Sequence, residues 1–315
     1  MPEGVADLHQ PVLPAEVVGI LSPLTGKTVV DGTLGLGGHA EALLQADETV
    51  RVIGIDRDAE AIVLTSQRLA RFGSRVCTIH GNFRDLDQHL DGIKINAVDG
   101  LLLDIGVSSL QLDTGERGFS FRRDGPLDMR MDRKGTQTAA DWIRTATESE
   151  LADVIFRFGE ERYARRIARA VVSARESDHI TSTAQLAGII RNAVPAKYAY
   201  RRLDPATRTF QAIRIFLNDE LGALKAGLAV GFERLTIGGT FVVISFHSLE
   251  DRIVKRFFRE KAQACICPPK LPECICDKEI EAKILTPRPV TASPSEIEAN
   301  PRSRSAKLRA AVRLR

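Results

Sequence analysis

The chain has 315 residues, 43% of them apolar and 27% charged, which gives a prior of about two domains and enough core to fold without disulfides. No apolar run approaches the roughly 18 residues of a membrane span, and the acids near the start of MPEGVADLHQPVLPAEVV do not suit a signal peptide, so a cytoplasmic location is expected. The net charge of +3 says little about partners, but basic residues gather from Arg157 to Arg175, and from Asn300 to Arg315 there are six Lys/Arg and no acid. Such clusters suit a polyanion, although a solvated helix face explains any one of them as well.

The first hundred residues alternate strand and helix. Thr28 to Asp31 is a short apolar run that ends at a glycine-rich turn. A helical stretch follows from about His39 to Leu44, then a strand from Arg51 to Asp56, a helix from Ala59 to Phe72, and a strand from Val76 to His80. Ala97 to Asp104 contains Leu101-Leu102-Leu103, a continuous apolar run of the kind buried on both faces of a sheet. This alternation predicts a parallel α/β sheet.

From about Leu112 to Asn218 the strand signal fades. Glu148 to Phe158, Glu160 to Ala174 and Ser182 to Ala193 carry apolar residues at helical spacing. Arg208 to Gly231 reads as one helix leading through Gly238-Gly239 into a core strand at Thr240 to Phe246, and Lys307 to Leu314 reads as a last edge strand. The expected organisation is one α/β domain interrupted by a mostly helical insertion of about 90 residues.

The strongest local signal is VVDGTLGLGGHA, from Val29 to Ala40. Gly35-x-Gly37-x-x-Ala40 fits a dinucleotide-type fingerprint, and Asp56 closes the next strand about 20 residues on, where a ribose-binding acid belongs. The fingerprint leaves NAD, FAD and S-adenosylmethionine open. Asp31 just before the glycines favours the last, because a carboxylate repels a pyrophosphate and attracts a sulfonium. Asp104 ends a buried strand and is followed by Ser108, Ser109 and Gln111 in a loop that would line the same crevice. A helix N-cap is the plainer use of such an aspartate.

HGNF (His80 to Phe83), LLLDIGVSS, GERGFSF (Gly115 to Phe121), DGPLDMRMD (Asp124 to Asp132), PATRTFQAIRI (Pro205 to Ile215), SFHSLEDRIVKRFF (Ser245 to Phe258) and NPRSRSAKLR (Asn300 to Arg309) resemble the hallmark segments of the RsmH (MraW) family over about His9 to Arg309. The resemblance implies a Rossmann-like class I S-adenosylmethionine methyltransferase sheet with a helical domain inserted after the fourth strand. That gives a methyltransferase domain at 1–112 and 208–315 and an insertion at 113–207 serving RNA recognition. It implies methyl transfer from S-adenosylmethionine to the exocyclic N4 amine of one cytidine in the decoding region of 16S ribosomal RNA, with the small ribosomal subunit as partner. It further implies cofactor contacts from Gly37, Gly38 and His39, ribose binding by Asp56, adenine flanked by Phe83, and Asp104 and Gln111 lining the rest of the pocket.

No metal is expected in this active site. Outside it, Cys265, Cys267, Cys274 and Cys276 form a C-x-C-x6-C-x-C array that could hold Zn2+ through four thiolates, although the spacing is not the usual C-x2-C and a loop of unmetallated thiols is the other reading. Some family members have such a stretch and others do not, which argues against a catalytic role.

His247, at the end of the Thr240 to Phe246 strand, either faces the target base or serves structure. The basic helix from Arg162 to Arg169 and the Arg208/Arg214 pair are candidates for phosphate contacts, which position RNA without reading its sequence. Amine methylation needs an acceptor for the amine protons, and Asp104 is the candidate, in competition with its cofactor role. A small-molecule methyltransferase, a non-catalytic RNA-binding assembly factor and an NAD-dependent oxidoreductase are the rival readings.

Overall fold

The computed structural model describes residues 10–195, 204–267 and 275–315. Its α/β part is a seven-stranded sheet. The strands are β1 (Thr28–Asp31), β2 (Arg51–Asp56), β3 (Val76–His80), β4 (Val98–Asp104), β5 (Leu235–Ser245), β6 (Ala282–Ile284) and β7 (Lys307–Arg313), in the order β3-β2-β1-β4-β5-β7-β6. The first five are parallel, and β7 runs antiparallel between β5 and β6. This is a doubly wound α/β arrangement, with its switch point between β1 and β4.

Alternation along the strands builds two cores. Val29, Val52, Leu102, Val242, Ile244 and Leu308 face one side, where they pack with Val17 and Leu21 of helix Pro14–Leu21 and Leu43 and Leu44 of helix Gly38–Ala46. Val30, Ile53, Leu101, Leu103, Phe241 and Val243 face the other, against Leu224, Leu228 and Phe232 of helix Glu220–Glu233 and Val254 and Phe258 of helix Ser248–Lys261. Covering both faces explains why β4 reads as an unbroken apolar run. Each such leucine taken from water contributes about 1.5–3 kcal/mol.

Two strand expectations need correction. The last strand is not an edge: β7 pairs with β5 from Thr240↔Val312 to Ser245↔Lys307, and the short β6 takes the edge. The Gly238-Gly239 pair lies inside β5 rather than before it, and the β4–β5 register shifts between Val98 and Gly100.

By contacts the chain divides into two compact units, one formed by 1–106 with 222–315 and the other by 107–221. The second boundary therefore falls after 221, not at 207, because helix Ala206–Leu217 packs on helix Glu148–Gly159 within the second unit. Their approach is close enough that a Cβ on Gly159 would lie 2.7 Å from the Arg208 carbonyl oxygen.

The second unit has its own core, including Trp142, Leu151, Ile155, Ile167, Leu186, Ile190, Phe210 and Ile213. Capping boxes at Thr138/Asp141, Thr147/Glu150 and Ser182/Gln185 set three of its helix starts. Glu160, at φ 49°, stops the second of these, so the following helix begins at Ala164 and not at Glu160. The single helix expected from Arg208 to Gly231 is broken at Asn218–Asp219. The Asn218 side chain donates to the Met129 carbonyl and accepts from the Met131 N–H, both at 2.8 Å, and Asp219 has φ 47°. Satisfying buried backbone groups of the 129–131 segment outweighs one more helical turn.

Candidate active site

Three aspartates end adjacent parallel strands: Asp31 on β1, Asp56 on β2 and Asp104 on β4. Ligands of open α/β sheets bind beyond these carboxyl ends. The chain leaves β1 through an Asx-type turn in which the Thr33 N–H donates to Asp31 Oδ1 at 3.2 Å. The Thr33 hydroxyl accepts the Asp104 N–H at 2.6 Å, tying the end of β4 to this turn.

Gly37 follows at φ 78°, the left-handed conformation that glycine adopts without a Cβ penalty, and it is the N-cap of helix Gly38–Ala46. A Cβ there would lie 2.6 Å from Thr65 Cγ2, and Thr65 in turn donates its hydroxyl to the Gly35 carbonyl at 2.6 Å. Gly38 starts the helix against Pro11, and His39 is buried in the first turn.

The electrostatics at these strand ends come from poorly hydrated charges. Burial pushes Asp31 up to about 6, helped by the charges of Asp104 and Asp56 and opposed by His39 and the Thr33 N–H. Burial works to lower the His39 pKa, but the bond to Asp104 and the charges of Asp104 and Asp31 outweigh it, so the net shift is upward. Burial also raises Asp56, against two N–H donors: Gly35 at 2.7 Å to Oδ2 and Asp58 at 2.8 Å to Oδ1. Among the described residues, Asp31 Oδ2, Asp104 Oδ1 and His39 Nδ1 are buried without a hydrogen bond. Asp31 and Asp104 beside one imidazole, with Asp56 close to Asp31, make a negative site with open acceptors, suited to a ligand with a positive centre and N–H donors.

The structure thus gathers Gly37, Gly38, His39, Asp56 and Asp104 at one end of the sheet. Phe83 follows β3 in a short 3-10 turn. A Cβ on Gly32 would lie 3.1 Å from its Cβ, while its ring packs on Gly227, where a Cβ would meet Phe83 Cδ2 at 2.4 Å. Gln111 belongs to the second unit, where it is buried and forms a capping box with Ser108: its Oε1 accepts the Ser108 N–H at 3.2 Å. Thr33 was not anticipated as part of this site, although the Asp-Gly-Thr sequence is an Asx-turn signal.

Other candidate groups serve structure. His247 is the N-cap of helix Ser248–Lys261, with Nε2 2.9 Å from Oε1 of the fully buried Glu250. Arg214 forms a bidentate pair with Glu220 at 2.8 and 3.0 Å, so it is held inside the second unit. Arg208 stands 3.8 Å from the buried Glu161. The C-terminal basic run is largely bound internally. Arg309 and Lys307 meet Asp251, Arg313 donates to the carbonyls of Phe232 and Leu235, and Arg315 pairs with Glu279. By contrast Arg162, Arg165, Arg166 and Arg169 are all exposed around the start of helix Ala164–Ser177. Among the described residues no helix is long and apolar enough to cross a membrane.

The chain is similar to known proteins along nearly its whole length. A protein of Trichlorobacter lovleyi named ribosomal RNA small subunit methyltransferase H is 52% identical over 307 residues, covering 97% of this chain and 98% of that protein. A protein of the same name from Geotalea uraniireducens is also 52% identical over 307 residues, with 97% and 98% covered. A solved structure of a putative rRNA-methylase from Clostridium thermocellum aligns with 13% identity and a TM-score of 0.45, covering 98% of both chains. The sequence pattern of the MraW methylase family matches residues 6–314. Matched along nearly its whole length, the chain belongs to the MraW methylase family and is a methyltransferase.

Proposed function

We propose that this protein transfers a methyl group from S-adenosylmethionine to the exocyclic N4 amine of one cytidine in the decoding region of 16S ribosomal RNA, within the small ribosomal subunit. The observation that carries the reading is the acid cluster of buried Asp31 with half-buried Asp56 and Asp104 around the Gly37 turn, in a chain 52% identical to proteins named ribosomal RNA small subunit methyltransferase H. When bound, S-adenosylmethionine supplies an electrophilic methyl group on a positively charged sulfur. The unpartnered oxygens of Asp31 and Asp104 fit that positive centre and the amino group beside it.

In this reading Gly37, Gly38, His39, Asp56, Phe83, Asp104 and Gln111 are the cofactor residues. Asp56 is fixed by the Gly35 and Asp58 N–H groups, and its remaining lone pairs accept the ribose hydroxyls. His39 holds Asp104 Oδ2 and leaves Oδ1 as the acceptor for an N–H of the bound molecules. Whether that N–H belongs to the cofactor or to the target cytosine decides between the two roles of Asp104. The cytosine amine is a weak nucleophile, because its lone pair is delocalised into the ring, so holding it near attack geometry is the main service of the protein. The base must leave any stack to reach the donor, and residues 113–207 serve RNA recognition.

The test is transfer of labelled methyl from S-adenosylmethionine to 30S subunits from a strain lacking the activity, followed by nucleoside analysis. Label in N4-methylcytidine, lost on Asp104→Ala, is the expected result. Tight cofactor binding with no label in RNA would overturn the RNA substrate and favour a small-molecule acceptor. Absence of cofactor binding would overturn the donor.

A further inference from the structure

Of the four cysteines in the C-x-C-x6-C-x-C array, Cys274 lies outside the described residues; Cys265, Cys267 and Cys276 lie together, with their sulfur atoms all within 4.8 Å of one another. The Cys265 and Cys276 sulfurs are 3.6 Å apart. A disulfide requires about 2.05 Å between sulfurs. Thiolates bound tetrahedrally to Zn2+ at about 2.3 Å stand roughly 3.8 Å apart. The observed spacing matches a shared metal, not a disulfide.

Two further observations point the same way. Backbone N–H groups are aimed at the sulfurs: Cys267 N–H donates to Cys265 Sγ at 3.3 Å, and Ile266 N–H to Cys276 Sγ at 3.4 Å. Backbone N–H groups in such positions orient the sulfurs of a ligand cluster. The alternation of the segment is also inverted with respect to hydrophobicity. Ile266 is 61% and Ile275 80% exposed, whereas the three cysteines beside them are turned inward and half-buried. Burial of apolar surface alone would draw the isoleucines in and leave the cysteines out.

We propose that Cys265, Cys267 and Cys276 form a structural site for Zn2+ or a similarly soft divalent cation, outside the methyl-transfer site, which closes the connection between helix Ser248–Lys261 and β6. Binding releases three thiol protons to solvent and leaves three thiolate–metal bonds with a net charge of −1, and one tetrahedral position is filled by water or a further protein ligand. No electron transfer is involved.

The experiment uses the full chain purified reduced from zinc-supplemented cells, with metal content read by elemental analysis. One equivalent of zinc per chain is expected. Cobalt loaded in its place should give the intense thiolate-to-cobalt charge-transfer absorption, and both signals should vanish in the Cys265→Ser/Cys267→Ser/Cys276→Ser variant. In case that variant fails to fold, thiol alkylation of the unaltered protein is mapped by mass spectrometry. Cys265, Cys267 and Cys276 should be protected with zinc and labelled after chelation, while the exposed Cys77 is labelled in both states. Zinc-free protein that takes up no cobalt, retention of the metal by the triple variant, or equal labelling of the three cysteines with and without chelator would each overturn the proposal.

Discussion

His39 Nε2 stands 3.4 Å from Asp104 Oδ2, so the first turn of the helix after β1 is joined to the last residue of β4 across the switch point of the sheet. The imidazole is only 6% exposed, and its raised pKa is the balance of burial, which opposes the charge, and Asp104, which sustains it. Replacing Asp104 by Asn should remove the larger support and leave the Asp31 and Glu296 charges against burial. The His39 pKa, followed by NMR titration of its ring protons, is then expected to fall from its raised position. The sign for stability follows. A raised histidine stabilises the fold fully below its unfolded pKa and loses that contribution as pH rises through the folded one, so this component should be smaller in Asp104→Asn. A His39 pKa that stays high in the variant would refute the pairing.

Asp31 carries the opposite burden. Its folded pKa of about 6 exceeds the unfolded value of 3.8, so the folded chain holds the extra proton between these limits and stability falls as pH rises through that window. The loss is roughly 3 kcal/mol, and Asp31→Asn should be correspondingly more stable than the parent at neutral pH, with little difference at about pH 4. A ligand with a positive centre reverses the preference. S-adenosylmethionine affinity measured by calorimetry should rise with pH through about 6 in the parent, and that rise should be diminished in Asp31→Asn.

Gly37→Ala confronts a left-handed φ and the Thr65 methyl together. The backbone conformation alone costs about 1–2 kcal/mol, and moving Thr65 loosens its bond to the Gly35 carbonyl. Denaturant unfolding should show a loss of about 2 kcal/mol, accompanied by at least about a tenfold loss of cofactor affinity. An unchanged affinity would mean the turn does not approach the ligand.

In the second unit the Arg214–Glu220 pair is a matter of stability, not of RNA. Arg214→Met leaves the Glu220 carboxylate buried and should cost about 3–5 kcal/mol, while adding Glu220→Leu should restore most of it. Thermal unfolding of the single and double variants checks this. Equal destabilisation in both would show that shape, not charge, governs the position.

The exposed arginines of helix Ala164–Ser177 make the contrasting prediction. Arg165→Gln/Arg166→Gln should leave the melting temperature nearly unchanged and weaken binding to ribosomal RNA. The logarithmic salt slope should shrink by about 0.7–0.9 for each phosphate that the variant no longer neutralises. Filter binding over a range of salt concentrations reads it, and an unaltered slope would remove this face from the RNA interface.

Much of the sheet was legible because its signals are local. The β1, β2 and β3 runs end at acids or glycines, and the triple leucine of β4 reflects cover on both faces. What escaped depends on contacts distant in sequence. The interior place of β7 is set by β5 on one side and β6 on the other, neither readable from LRAAVR. The break at Asn218 follows from carbonyl and N–H groups nearly 90 residues earlier. At the strand ends, the glycine turn and the acids at positions 56 and 104 were visible as a pattern. The Thr33 bridge to the Asp104 backbone was not, since it joins residues 71 apart. Arg214 and the C-terminal arginines illustrate the limit of charge counting: a basic run in sequence gives no sign of which carboxylates and carbonyls will absorb it.

The order in which the strands are made bears on how the chain can be born. β4 and its neighbour β5 share the centre of the sheet, yet about 130 residues of chain separate the end of one from the start of the other. At ordinary rates of synthesis that interval lasts on the order of ten seconds. Throughout it, the Leu101–Leu103 edge of a nascent β3-β2-β1-β4 sheet has no strand beside it, and such an edge invites pairing with other chains. The second unit, which has a core of its own, can condense meanwhile. Refolding yield and aggregation of fragments ending before Leu235 should therefore be worse than those of the full chain, and a chaperone that shields β4 would act in that interval.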